Sequence, residues 1–122
     1  MFKEAAESTN EKEVMEKAIY YFGKTVQKVI AIEELSELQK AISKSIRYDE
    51  MGATDPNRGE SIREDIIEEI ADVGICIKQI MTMLDIDEKE IDKVTKVKIE
   101  RLNSKVNVLI TAAKVANHLY LP

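Results

Sequence analysis

The chain has 122 residues, 44% of them hydrophobic and 34% charged, with 2 prolines, 4 glycines, a single cysteine and a formal net charge of -5. That length suits one domain of ordinary size, and the apolar fraction excludes disorder as the default state. The negative balance gives no general attraction to nucleic acid or to an anionic membrane, which makes cations the more natural partners. Lone Cys76 excludes an internal disulfide.

At the amino terminus, MFKEAAESTN lacks the apolar run of a signal peptide and precedes the first helix signal, so residues 1–10 are expected to be disordered. Asn10-x-x-Glu13 pairs a good N-cap residue with a glutamate at the third helical position, as in a capping box. A helical region should run from there to about Arg47, with Gly23 separating a short leading helix from a longer second one. The segment from Tyr48 to Glu60 collects Gly52, Asp55-Pro56-Asn57 and Gly59 and reads as the main loop.

Ser61-x-x-Glu64 should open a third helix that reaches about Leu84. After the short LDID connection, Asp87-x-x-Glu90 opens a last helical region, in which VNVLITAAKVANHLY either continues the helix past Asn103 or forms another. No repeat, strand alternation or membrane-length apolar stretch interrupts this pattern. The expected fold is all-α: a single domain built as an antiparallel bundle of four to five helices, in the cytosol. Residues 106–122 carry more apolar surface than one small bundle need cover, and they read as an oligomerisation helix.

The chemistry lies in acids that intrude on apolar stripes. At about 100° per residue, Ala31, Leu35, Leu38 and Ile42 mark one face of the second helix. Glu34 falls inside that face, Glu37 lies at its edge and Glu33 one step further out. On the third helix the stripe is Ile66, Ile70, Val73, Ile77, Ile80 and Leu84; Glu69 projects among Ile62, Cys76 and Ile80, with Asp72 alongside.

A buried carboxylate without a partner takes up a proton sooner than stay charged, so four facing one core need compensation. Divalent metal is the simplest source. Glu34 with Glu37, and Glu69 with Asp72, form two facing jaws of hard oxygen ligands, which suit Mg²⁺ or, in its place, Mn²⁺. The sole histidine, His118, is far along the chain from the acids, which argues against zinc and against a di-iron carboxylate bundle. In the last helix Ile91, Val94, Leu102, Val106 and Leu109 define an apolar face that includes Lys98, with Arg101 near its edge. Set beside an acidic metal cage, these cations could help to neutralise a polyphosphate.

Gln27 to Ile42, QKVIAIEELSELQKAI, followed by Ile66 to Ile80, IIEEIADVGICIKQI, resembles the MazG-like branch of the all-α nucleoside triphosphate pyrophosphohydrolases. That family carries EExxE on one helix and ExxD on the next, present here as Glu33-Glu34-x-x-Glu37 and Glu69-x-x-Asp72. KIERLNSKV, Lys98 to Val106, is similar to the basic segment that follows in the family. The chain departs from the commonest pattern in Tyr20-Tyr21-Phe22, where many relatives carry tryptophan, and in its apolar tail.

The resemblance implies hydrolysis of a nucleoside triphosphate between the α and β phosphates, giving monophosphate and pyrophosphate, by a homodimer or homotetramer. It implies Mg²⁺ held by Glu34, Glu37, Glu69 and Asp72, with Glu33 as an outer carboxylate that orients water or another metal. Lys98 and Arg101 would then stabilise the leaving pyrophosphate, and Gln27 is a candidate contact to base or ribose. The rival is a non-catalytic helical interaction module whose acids form salt bridges to Lys and Arg of a neighbouring chain.

Overall fold

The computed structural model describes residues 10–120, and side chains as far as His118. The expectations for the amino terminus therefore fall almost wholly on residues 1–9, outside the described residues. Among the described residues there are four helices, where four or five were expected for the chain: α1 (Glu11–Phe22), α2 (Lys24–Glu50), α3 (Pro56–Met83) and α4 (Glu88–Tyr120). There is no strand among the described residues. No helix among them is long and apolar enough to cross a membrane. The chain divides after Asp85 into two compact units, the first holding α1 to α3 and the second α4.

Local chemistry sets most helix ends. Asn10 caps α1, its Oδ1 accepting from the Glu13 amide at 3.2 Å. Gly23 separates α1 from α2 at φ 91°, ψ 152°, a conformation from which a Cβ would be sterically excluded. At Asp87 the capping box closes in both directions: Oδ1 accepts from the Lys89 amide, and the Asp87 amide donates to Glu90 Oε2 at 2.8 Å. With no Gly or Pro after that point until the last residue, α4 runs unbroken past Asn103 to Tyr120.

The third helix begins earlier than expected. Asp55, not Ser61, is its N-cap, accepting from the amides of Asn57 and Arg58, and Pro56 occupies the first turn, where its missing N–H goes unneeded. The connection shrinks accordingly to residues 51–55, turned by Gly52 at φ 94° and Ala53 at φ 42°. Tyr48 straps this turn, its hydroxyl donating to the Asp55 carbonyl at 2.6 Å. It also lies so close to α3 that a Cβ on Gly59 would stand 2.9 Å from its oxygen.

So short a link between helices of 27 and 28 residues makes α2 and α3 an antiparallel hairpin. Tyr48 lies near Gly59 at the turn, and Gln27 shares a cavity with Gln79 at the far end. α1 packs across both helices, and Lys78 of α3 pairs with its Glu11. The core is thin: Met15, Ala31, Ala41, Ile62, Val73 and Cys76 are buried. Cys76 is a free, buried thiol within this core.

The buried stripe differs from the expected one. On α3 it runs through Ile62, Ile66, Glu69, Val73, Cys76 and Ile80, whereas Ile70, Ile77 and Leu84 face outward, Ile70 being 56% exposed. On α2 it runs through Gln27, Ala31, Glu34, Leu38 and Ala41, leaving Leu35 51% exposed and Ile42 also outside. Each helix offers two apolar stripes. The pair that meets contains small residues, Ala31, Ala41 and Cys76, which let the backbones approach closely.

Candidate metal centre

Because α2 and α3 run antiparallel, the middle of one faces the middle of the other, and that is where both acidic motifs lie. Glu34, Glu69 and Asp72 converge there, each half-buried, with one carboxylate oxygen apiece inside a mutual distance of 4.8 Å. Glu69 occupies the centre of the α3 inner stripe, and Asp72 stands beside it at one turn's spacing. Glu34 holds the corresponding central place on α2.

Glu69 is the most constrained of the three. Its Oε2 is sealed from solvent and has no hydrogen-bond partner among the described residues. Burial raises its pKa above the ordinary carboxylate value, and the neighbouring charges of Glu34, Asp72, Glu37 and Glu68 raise it further. The Cys76 thiol, one turn beyond Asp72, is pushed up by burial and then by Glu34 and Asp72. Among the described residues no Lys or Arg forms an ion pair with Glu34, Glu69 or Asp72. The donor set is all oxygen, and its fit is to a hard divalent ion.

The remaining expected ligand stands apart. Glu37 lies outside the trio and pairs with Lys40 on its own helix at 3.1 Å, at an exposed position. Its spacing from Glu34 is the same as that of Asp72 from Glu69, so helix geometry does not bar it from the seam; its side chain is turned to Lys40 instead. Glu37 nevertheless contributes to the field that raises the Glu69 pKa. Glu33 is exposed on α2. Lys98 and Arg101 lie one turn apart on α4, in the second unit, and both are exposed.

Gln27 is among the most buried residues of the first unit, 4% exposed, and lines a cavity together with Glu34 and Asp72. The same cavity is lined by Gln79, 7% exposed, a residue that the sequence reading did not single out. Its one signal was position: it follows Asp72 by two turns on the same face, as Glu34 follows Gln27. Comparison of the chain with protein-family models, curated proteins and solved structures finds no match.

Proposed function

We propose that this protein is a Mg²⁺-dependent nucleoside triphosphate pyrophosphohydrolase that cleaves between the α and β phosphates, with Mn²⁺ as an alternative ion. The observation that carries the reading is the sealed, unpaired Oε2 of Glu69 among the carboxylates of Glu34 and Asp72. The order of the two motifs, Glu33-Glu34-x-x-Glu37 and then Glu69-x-x-Asp72, supports the same chemistry through the resemblance to MazG-like pyrophosphohydrolases.

Glu34, Glu69 and Asp72 would hold the ion, with Glu37 available from the edge. When bound, Mg²⁺ supplies positive charge to phosphate oxygens and acidifies water. Glu33, exposed and next to Glu34 in the sequence, would orient the attacking water and accept its proton. Lys98 and Arg101 are assigned to the charge that develops on the departing pyrophosphate. The assembly is a homodimer or homotetramer.

The burial of Glu69 favours this reading over a non-catalytic interaction module. An acid that serves an inter-chain salt bridge must be reachable by a partner's Lys or Arg, whereas Glu69 Oε2 is closed to solvent within its own hairpin. The test is a panel of canonical and damaged nucleoside triphosphates with Mg²⁺. Release of pyrophosphate from at least one, abolished by chelation, is the expected result. Orthophosphate as the only primary product refutes the assigned bond, and no turnover of any member refutes the reading.

A further inference from the structure

Beside the acids, the seam between α2 and α3 opens into a cavity of about 270 Å³. Glu34 and Asp72 line it, as do Gln27 and Gln79, while Phe22, Ile30 and Ile75 supply apolar wall. The two amides are the buried polar side chains of the first unit that carry no charge, and each is more than nine-tenths buried. The side-chain hydrogen bonds found among the described residues lie at exposed positions, and none involves either amide.

Neither amide is among the sealed, unpaired polar atoms, so both keep access to solvent where they line this cavity, and nothing in apolar packing calls for two of them in one place. Each offers a carbonyl acceptor and two N–H donors in one plane, the arrangement that pairs with the edge of a heterocyclic base. Their spacing from the acids supplies the second clue. Gln27 precedes Glu34 by seven residues and Gln79 follows Asp72 by seven, so in an antiparallel pair both amides lie toward one end of the seam. Seven residues of helix rise by about 10 Å, a gap of the order that a sugar and first phosphates span.

We propose that Gln27 and Gln79 form the base-reading end of the site: the nucleobase lies in the apolar slot against Ile30 and Ile75, its edge held by the two amides, with its phosphates directed to the acids. This rests on the proposed pyrophosphohydrolase reading for the phosphates, but the base contact itself needs neither metal nor turnover. Gln79 is thereby a specificity residue that the acidic motifs do not contain.

The test is an NMR titration of the full chain, free of metal, with the common ribonucleosides and deoxynucleosides, which carry no phosphate. At least one should bind at concentrations up to about 10 mM, and Gln27→Leu and Gln79→Leu should each weaken it about tenfold, the loss expected of one good hydrogen-bonding group. Should a leucine variant misfold, Ile75→Trp, at a half-exposed position, fills the slot and must abolish binding. No nucleoside binding, or binding unchanged by these substitutions, overturns the proposal even where Mg²⁺-dependent pyrophosphate release is found. Glutamine-dependent nucleoside binding without any such release defeats the hydrolase reading and leaves the base pocket standing.

Discussion

Replacing Glu69 by Gln should move the stability of the metal-free and metal-bound protein in opposite directions. Without metal, the wild-type seam holds Glu34, Glu69 and Asp72 with carboxylate oxygens inside 4.8 Å of one another, and one Glu69 oxygen is sealed without a partner. The amide would keep the shape and remove one of the repelling charges, so the metal-free variant should melt above wild type. In Mg²⁺ the order reverses. An ion that binds only the folded state stabilises by about 2.7 kcal/mol at one hundred times its dissociation constant. For a domain near this size each kcal/mol moves Tm by about 4–8 °C, so wild type should gain roughly 10–20 °C and the variant little. The linkage to pH follows from the same oxygen. Glu69 titrates above 4.5 in the folded protein, so the folded state holds this proton more tightly than the unfolded one. Metal-free wild type should therefore lose stability as pH rises from about 4.5 through the raised pKa, while the variant lacks that contribution. The stabilisation by Mg²⁺ should grow over the same range, because the ion competes with the proton. Calorimetry at several pH values, with Mg²⁺ and with chelator, checks all of this. A Mg²⁺ shift as large in Glu69→Gln as in wild type would refute the centre.

Three further outcomes are expected. Lys98→Met keeps the aliphatic stem and removes the charge at an exposed position, so Tm should stay within about 2–4 °C, about 0.5 kcal/mol, while kcat/KM for the triphosphate falls at least tenfold; unchanged kinetics would refute the role proposed for Lys98. Gly59→Ala should destabilise by about 1 kcal/mol despite the better helix propensity of alanine, because its Cβ meets the Tyr48 ring, and Tyr48→Phe should relieve part of that loss in denaturant titrations. The protein should scatter light as a dimer or tetramer at micromolar concentration, and truncation before Val106 should shift it towards monomer, since Val106, Val108, Leu109, Ile110 and Val115 are exposed along α4; an unchanged oligomer would place the interface elsewhere.

What was legible in the sequence was local. Asn10, Gly23 and Asp87 mark helix ends through contacts with residues within four positions of them, and each acts as its neighbourhood suggests. Asp55-Pro56 was equally local, yet proline and two flanking glycines read first as punctuation, which hid an N-cap followed by proline in the first turn. The side of each helix that turns inward was not legible in the same way. Ile70, Ile77 and Leu84 are as apolar as Ile62, Ile66 and Ile80, and periodicity alone cannot say which set meets a neighbour. That choice depends on how closely two backbones can approach, a property of the pair.

The acids follow the same division. Glu34 and Glu69 interrupt apolar stripes in the sequence, and both lie at the seam, because the stripe that contains each of them is the one that packs. Glu37 was grouped with Glu34 through spacing on one helix, but a site between two helices selects residues by their angle to the partner, and Glu37 faces Lys40 instead. By that criterion the seam holds a charged centre flanked at one end by two buried amides, in a place where Ala or Leu would pack at lower cost. Such a seam gives up stability where Glu69 Oε2 is sealed without a partner. The outward stripes of Leu35, Ile42, Ile70 and Ile77 remain able to bury apolar surface against another chain. Association through them would stabilise the hairpin without filling the polar seam, so oligomer formation and the retention of a destabilising site are physically compatible in one small protein.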